Sequence, residues 1–326
     1  MRRRTFIAAF VGAAAHPLSA AGQSAPLPVV GFVNGASPGA FAHLAASFQK
    51  GLQEEGFTDG RNVTIDARWA EGRYERLPAF LQEFVARKVA VVALTGGAMP
   101  HLTDNPATAK VPIIFVMGGD PVRAGLVASL NQPGGNVSGI TQLTNELAAK
   151  RLGLLHELVP RMNKVGILIN PDFPDSGPQL RELENAIARA GLSAVVVRAQ
   201  AEADFDAAFL RLEQERPDAL LIGADPFFNS RRSQLVALVM RLRIPTIYEF
   251  REFAEAGGLI SYGTDLADAY RLTGRYVGRV LKGTKPGDLP VIQAAKFELI
   301  INLKTANALG LDIPPTLLAR ADEVIE

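Results

Sequence analysis

The chain has 326 residues, of which 48% are hydrophobic and 21% are charged, a balance that is ordinary for a globular protein and a length that favours two domains. Its 34 Lys and Arg nearly equal its 33 Asp and Glu, so there is no basic excess to hold nucleic acid or an anionic membrane surface. There is no cysteine, which excludes disulfides and thiolate metal sites, and with four histidines we expect neither a metal nor a cofactor.

Residues 1–25 are predicted to be an export signal. Arg2–Arg4 supply positive charge, Phe6–Ala15 form an apolar stretch too short to span a bilayer, and Ser19 and Ala21 suit a cleavage site. Without these three arginines the net charge changes from +1 to −2. No later stretch is apolar enough to insert into a membrane, and no cysteine could carry a lipid anchor. We expect a free periplasmic protein exported by the Sec route, the alternatives being twin-arginine export and a buried N-terminal helix.

After the leader, short β-rich apolar runs alternate with longer amphipathic stretches. The predicted strands, in chain order, are Pro28–Val33, Val63–Arg68, Val89–Leu94, Pro112–Val116, Lys164–Ile169, Ser193–Val197, Ala219–Ile222, Thr246–Tyr248 and Gly258–Ser261. The predicted helices between them are Ala40–Glu55, Leu77–Arg87, Gln179–Ala190, Asp204–Glu215 and Ser230–Leu242. Strands that alternate with helices in this way indicate an α/β fold with parallel sheets covered on both faces.

The pattern of strands also occurs twice, at an offset of about 130 residues. The similar pairs are Val30–Asn34 with Val165–Asn170, Val91–Gly97 with Leu220–Asp225, and Val111–Ile114 with Ile244–Ile247. Three pairs in the same order predict two Rossmann-like lobes of one design. We place lobe one at residues 27–142 plus a return segment at about 264–290, and lobe two at 143–263. Residues 291–326 are not assigned to either lobe.

One catalytic motif is present, but it departs from the pattern that its chemistry requires. Gly35–Gly39 matches the G-x-S-x-G signature of serine hydrolases, with Ser37 as the nucleophile. The next residue is Pro38, which has no N–H for an oxyanion hole. No dinucleotide or phosphate-binding motif occurs, and no H-E-x-x-H. We therefore expect no enzyme activity and keep a hydrolase acting through Ser37 only as a minor alternative.

Polar and aromatic residues follow the predicted strands, where a doubly wound sheet binds its ligands. Two lobes that face each other would enclose a cleft there. The candidate ligand-binding residues are Asn34, Ser37, Thr95, Gly96, Gly97, Asp120 and Thr141 in the first half, and Asn170, Asp225, Phe227, Tyr248, Glu249 and Tyr262 in the second half.

The chemistry of these candidates suits a small amphoteric ligand. Backbone N–H groups of Thr95–Gly97, ahead of a predicted helix, suit a carboxylate. Asp120, Asp225 or Glu249 could hold an ammonium group, and the aromatic side chains could stack on a ring. Purely structural roles are the alternative for two of them, because Asp225 before a proline suits a helix N-cap and Asp120 before a proline suits a turn.

Longer motifs give a family resemblance that runs in order along nearly all of the chain after the leader. The segments that carry it are Gly51–Phe57, Gly60–Val63, Ala70–Gly72, Val111–Phe115, Gly119–Val122, Gln132–Gly139, Leu281–Pro286, Asp288–Pro290, Ile301–Ala306 and Leu309–Pro314. Together they resemble the TrpX-like family of ABC transporter substrate-binding proteins. The resemblance implies the type I periplasmic binding protein fold, a multi-strand hinge, a closing cleft and no catalysis. Several members of this family are similar to binders of tryptophan or tyrosine.

By position, the resemblance implies lobe-one contacts from the Ser37, Thr95-Gly96 and Asp120 loops, and lobe-two contacts from the Asn170, Asp225 and Tyr248-Glu249 loops. We expect a monomeric periplasmic solute-binding protein of an ABC importer. It would capture an aromatic or apolar amino acid by hinge closure and deliver it to a permease with a cytoplasmic ATPase. The alternative on the same fold is a sensor module that reports ligand occupancy to a membrane receptor.

Overall fold

A computed structural model describes residues 26–98, 106–142 and 144–326, so the predicted leader and the predicted helix after Gly97 lie outside the described residues. The chain forms two sheets, each flanked by helices, and each predicted strand has a counterpart within a few residues. The first sheet consists of β1 (Val29–Asn34), β2 (Thr64–Trp69), β3 (Val91–Thr95), β4 (Ile113–Met117), β5 (Val137–Thr141) and β11 (Ile292–Gln293), in the order β11-β5-β4-β3-β1-β2.

The second sheet has seven strands in the order β13-β12-β10-β9-β8-β6-β7. Its strands are β6 (Lys164–Ile169), β7 (Ser193–Arg198), β8 (Ala219–Ile222), β9 (Thr246–Tyr248), β10 (Ile260–Thr264), β12 (Phe297–Asn302) and β13 (Glu323–Ile325). The order β9-β8-β6-β7 repeats the order β4-β3-β1-β2, so the internal similarity in the sequence corresponds to a repeated topology. The strand pairs are parallel except for β10 with β12.

The helices cover the faces of the two sheets, and the crossovers between strands produce this arrangement. They are α1 (Ala42–Glu54), α2 (Leu77–Ala86), α3 (Thr144–Leu158), α4 (Ser176–Arg189), α5 (Phe205–Glu215), α6 (Pro226–Ser230), α7 (Arg232–Leu242), α8 (Arg251–Glu255), α9 (Leu266–Leu281), α10 (Leu303–Leu309) and α11 (Pro315–Leu318). Short 3-10 turns lie at Tyr74–Arg76, Pro106–Lys110, Glu202–Asp204 and Pro286–Asp288.

Helices α1 and α9 pack closely because each has a glycine that faces the backbone of the other helix. A Cβ on Gly51 would lie 1.9 Å from the backbone oxygen of Arg271, and a Cβ on Gly274 would lie 2.0 Å from the backbone oxygen of Phe48. Helix α9 also carries an arginine stripe, Arg271, Arg275 and Arg279, which pairs with Glu54 and Glu55 of α1. Helix α9 thereby joins the first sheet, where it packs against β3, β4 and β5.

The chain passes between the two sheets three times, after β5, after β10 and after β11. The three crossing segments lie side by side. Gln142 Nε2 donates to Thr264 Oγ1 at 3.1 Å, and the Asp265 amide donates to the Lys296 carbonyl oxygen at 3.2 Å. Residues 291–326 contribute β11 to the first sheet and β12 and β13 to the second. The lobe boundaries proposed from the sequence stay a prediction.

Candidate functional site

A cavity lies between the carboxyl ends of the two sheets, where the strands of both end in loops. The space that no atom occupies there is about 570 Å³, a figure that includes open solvent at the mouth of the cavity. From elements of the first sheet it is lined by Phe41, Gly96, Gly97, Val116, Met117, Gly118, Gln142, Leu266 and Tyr270. From elements of the second sheet it is lined by Thr144, Phe173, Asp175, Ala224, Asp225, Pro226, Glu249 and Phe250.

Four aromatic side chains form much of the apolar wall: Phe41, Phe173, Phe250 and Tyr270. Phe41 precedes α1, and Tyr270 lies on α9 one turn after Leu266, so the α1–α9 pair places both at the cavity. The Tyr270 hydroxyl accepts a hydrogen bond from Asn34 Nδ2 at 2.8 Å, which fixes the ring. An apolar cavity with rings on both sides suits a flat or apolar ligand group.

Glu249 supplies a buried carboxylate at the cavity, in the loop after β9. Its Oε1 accepts a hydrogen bond from Thr144 Oγ1 at 2.8 Å, whereas Oε2 is buried without a hydrogen-bond partner among the described residues. Burial raises the pKa of Glu249 to about 7, and the nearby Arg151 guanidinium opposes this rise. A buried carboxylate oxygen without a partner is costly, so this oxygen can gain from a cationic donor in the cavity.

Asp225 is the second buried carboxylate, and donors from the protein already occupy it. It caps α6, where Oδ1 accepts from the amides of Phe227 and Phe228, and Oδ1 also accepts from the Tyr74 hydroxyl at 3.0 Å. Its Oδ2 accepts from Asn170 Nδ2 at 2.8 Å. Burial raises the pKa of Asp225 to about 6, and these four donors oppose that rise.

The loop after β3 brings bare backbone to the cavity. Gly96 and Gly97 have positive φ angles of 59° and 82°, a conformation that favours glycine. A Cβ on Gly97 would lie 2.7 Å from Cε2 of Phe173, and a Cβ on Gly96 would lie 2.5 Å from Oδ1 of Asn34. The two glycines therefore allow the loop to approach both the cavity and the opposite lobe.

Direct contacts across the cleft connect the elements of the two sheets. The Tyr74 hydroxyl reaches Asp225, the Ser37 amide donates to Ser230 Oγ at 3.3 Å, and His43 Nε2 lies 3.0 Å from Glu252 Oε1. The arrangement is therefore closed around the cavity.

The structure brings four of the thirteen sequence-predicted residues to the cavity wall: Gly96, Gly97, Asp225 and Glu249. Four others lie buried nearby with hydrogen bonds of their own: Asn34, Thr95, Thr141 and Asn170. Ser37 makes the contact to Ser230 described above and does not line the cavity.

The remaining predicted residues lie away from the cavity wall. Phe227 packs against Phe205, Tyr248 stacks on Phe253 with ring centroids 4.6 Å apart, and Tyr262 packs near Phe297. Asp120 caps its own turn by accepting from the amides of Val122 and Arg123, and it borders a separate outer cavity.

Sequence reasoning missed all four aromatic wall residues, Phe41, Phe173, Phe250 and Tyr270, and it also missed Asp175. The spacing of Leu266 and Tyr270, one helical turn apart and opposite the arginine stripe, was a usable signal for the inner face of α9. Nothing comparable in the sequence points to Phe173, because its position depends on the loop after β6.

The family model for ABC transporter substrate-binding proteins matches residues 29–325. The chain belongs to that family. Substrate-binding proteins of this family are not enzymes, so family membership overturns the hydrolase alternative at Ser37. In the part of the chain that the structure describes, no cluster of three or more metal-ligating side chains is present, and no helix is long and apolar enough to cross a membrane.

Individual relatives are similar over most of their length. A tyrosine-binding protein of Clostridioides difficile is 28% identical over 264 residues, which covers 81% of this substrate-binding protein and 75% of the relative. The crystal structure of an ABC domain from Streptococcus pneumonia in complex with L-Trp is 28% identical, with a TM-score of 0.81 over 92% of this chain and 100% of the other. A conserved domain protein from Vibrio cholerae is 26% identical, with a TM-score of 0.83 over 91% and 99%.

Proposed function

We propose that this substrate-binding protein captures an aromatic amino acid in the cavity between its lobes. The observation that carries the proposal is Glu249, which lines an otherwise largely aromatic and apolar cavity and whose Oε2 is buried without a hydrogen-bond partner among the described residues. A ligand that pairs an ammonium group with a ring fits both features. The ligands named for two relatives, tyrosine and L-Trp, are amino acids of this class.

Glu249, rather than Asp225, receives the ammonium group in this proposal. Asp225 already accepts four hydrogen bonds from Tyr74, Asn170 and the start of α6, which leaves it little remaining capacity. Glu249 accepts one hydrogen bond from Thr144, and within the described part of the chain its other oxygen has no partner. An ammonium group donates up to three hydrogen bonds, and a charge-assisted bond to a buried carboxylate is among the strongest in proteins.

The other parts of the ligand follow from the remaining walls. Backbone amides of Gly96 and Gly97, in the left-handed conformation, are proposed to hold the carboxylate, since consecutive N–H groups in such a loop form an anion-binding concavity. Phe41, Phe173, Phe250 and Tyr270 are proposed to enclose the ring.

Ligand entry requires the lobes to separate, because the cavity is closed by contacts from both sides. We propose hinge motion at the three crossing segments after β5, β10 and β11, which leaves each lobe intact. Closure then forms the contacts of Tyr74 with Asp225 and of Ser37 with Ser230. The ligand shifts the population toward the closed form by binding both walls at once.

In the cell, we propose that the protein is a periplasmic monomer exported by residues 1–25, which delivers its ligand to the permease and ATPase of an ABC importer. The family supports the transporter association. The arginines, the apolar stretch and the small residues of residues 1–25 support export.

Isothermal titration of the leaderless protein tests the ligand assignment with three related compounds. L-tryptophan carries ring, ammonium and carboxylate, tryptamine lacks the carboxylate, and indole-3-propionate lacks the ammonium group. We expect L-tryptophan to bind and indole-3-propionate to bind about ten- to a hundredfold more weakly, since a lost charged hydrogen bond costs about 1.5–3 kcal/mol.

A matched pair of variants assigns the ammonium site in the same experiment. Glu249→Gln should weaken the binding of L-tryptophan much more than the binding of indole-3-propionate. Glu83→Gln, which removes an exposed ion pair of the first lobe, should change the affinity for neither compound. Equal losses for both ligands in Glu249→Gln would reject the ammonium site. No binding of any aromatic amino acid by the wild type would reject the proposed function.

A further inference from the structure

A second buried charge lies behind Glu249, away from the described walls of the cavity. Arg151 of α3 is fully buried, and its Nη1 lies 4.0 Å from Glu249 Oε1. Its Nη2 donates a long hydrogen bond of 3.4 Å to the Thr144 carbonyl oxygen, while Nε and Nη1 have no hydrogen-bond partner among the described residues. A buried guanidinium with so few hydrogen bonds is costly to keep, so packing alone gives it no evident purpose.

Thr144 connects the two charges. Its carbonyl oxygen accepts from Arg151, and its hydroxyl donates to Glu249 Oε1, so the first turn of α3 touches both side chains. One oxygen of Glu249 is thus bonded to α3, and the other has no hydrogen-bond partner in residues 26–98, 106–142 and 144–326. The guanidinium and the hydroxyl together fix which oxygen is free for a ligand.

Among the described residues, the other charged groups that act on Glu249 have the same sign as its carboxylate. Asp175 at the start of α4 and Glu252 of α8 both disfavour ionisation of Glu249, and burial acts in the same direction. Arg151 is the cation that acts against them. Without Arg151, the two neighbouring carboxylates and the low-dielectric surroundings would together favour the neutral acid of Glu249.

We propose that Arg151 is a positioning residue that keeps Glu249 ionised and oriented for the ammonium group of the ligand. The inference rests on the proposed function, because Arg151 would maintain the charge and orientation of the carboxylate that binds the ligand in that proposal. The proposed ligand is zwitterionic. Because the charges of Arg151 and Glu249 cancel, the ammonium group of the ligand interacts with one oxygen of a carboxylate whose charge the guanidinium already balances. Arg151 itself does not touch the ligand.

The first test uses the ligand-free protein and is therefore independent of the proposed function. Carbon-13 NMR follows the Glu249 side-chain carboxyl as a function of pH, with the resonance assigned by its loss in Glu249→Gln. We expect the titration midpoint in Arg151→Met to rise by about 1 to 3 pH units, the effect of an opposite charge within about 4–6 Å. Arg151→Lys keeps the charge and should retain a midpoint close to that of the wild type.

The control is Arg320→Met, which removes an arginine that pairs with Glu157 at an exposed position. It should leave the Glu249 midpoint unchanged. If Arg151→Met does not fold, the double variant Arg151→Met with Glu249→Gln replaces it, because that variant leaves no unpaired buried charge. We expect the double variant to melt at a higher temperature than Glu249→Gln alone. A double variant no more stable than Glu249→Gln, or an unchanged midpoint in Arg151→Met, would overturn the proposal.

The second test measures the Kd of L-tryptophan from pH 5.5 to 9. In the wild type, affinity should fall as pH decreases below about 7, since the protonated carboxyl cannot accept the ammonium group in the same way. Arg151→Met should move this profile to higher pH and weaken binding about tenfold at pH 7, where each pH unit corresponds to a factor of ten. A uniform loss of affinity at every pH would show a merely structural role for Arg151. Absence of binding by the wild type would count against the proposed function and leave the NMR result standing.

Discussion

The contact between Tyr74 and Asp225 gives a direct test of closure. The hydroxyl and Oδ1 are 3.0 Å apart, both side chains are buried, and the two residues belong to opposite sides of the cleft. Burial and the Asp225 charge raise the pKa of Tyr74, so the hydroxyl stays protonated and donates. In the open form that we propose this hydrogen bond would be broken, so Tyr74→Phe should destabilise the closed form selectively.

The magnitude follows from the type of hydrogen bond. A hydrogen bond to a charged group contributes about 1.5–3 kcal/mol, and Asp225 keeps three other donors, which favours the lower end. A loss of about 1.5 kcal/mol in the closed form corresponds to a Kd that is about tenfold weaker. Isothermal titration with L-tryptophan measures this change, and small-angle X-ray scattering of the ligand-free protein should show a more extended average.

Tyr276→Phe is the matched control. Its hydroxyl donates to the Pro290 carbonyl oxygen at 2.7 Å without crossing the cleft, so its removal should leave affinity unchanged. Equal affinity losses in both variants, or no loss in Tyr74→Phe, would refute the reasoning that this contact stabilises closure.

Two further predictions concern stability and the glycine loop. The folded protein holds a proton on Asp225 more tightly than the unfolded chain between pH 3.8 and about 6, so the free energy of unfolding should fall as pH rises through this window. Asp225 should account for about 1–2 kcal/mol of that loss between about pH 4.5 and 6. Urea unfolding of the wild type and of Asp225→Asn measures the free energy of unfolding as a function of pH. An identical pH dependence in the two proteins would contradict this role of Asp225. Gly97→Ala adds a Cβ 2.7 Å from the Phe173 ring at a φ of 82°, so it should weaken the binding of L-tryptophan about tenfold or more. Gly39→Ala, where a Cβ meets nothing within 4 Å, should bind as the wild type does.

Most of the fold could be predicted from the sequence, because fully buried parallel strands form continuous apolar runs. The strands over Lys164–Ile169, Ala219–Ile222 and Thr246–Tyr248 were predicted with the observed bounds. Strand β5 was missed because its interior holds Ser138 and Gly139 in place of large apolar residues. The structure explains the glycine, since a Cβ there would lie 2.2 Å from the Phe115 carbonyl oxygen.

The candidate site was harder to predict, because the direction of a side chain after a strand depends on the loop and not on the strand. Within Tyr248–Phe250, the glutamate and phenylalanine line the cavity and the tyrosine packs on Phe253. Asp225 lines the cavity and also serves as the N-cap that its position before Pro226 indicates. The role of Arg151 was not visible in the sequence, since an arginine on an amphipathic helix ordinarily faces solvent.

A crystal structure of the leaderless protein grown with L-tryptophan tests the central claim most directly. The account predicts the indole among Phe41, Phe173, Phe250 and Tyr270, with the ammonium group within hydrogen-bond distance of Glu249 Oε2 and the carboxylate at Gly96 and Gly97. Ligand bound outside this cavity, or a carboxylate rather than an ammonium group beside Glu249, would contradict it.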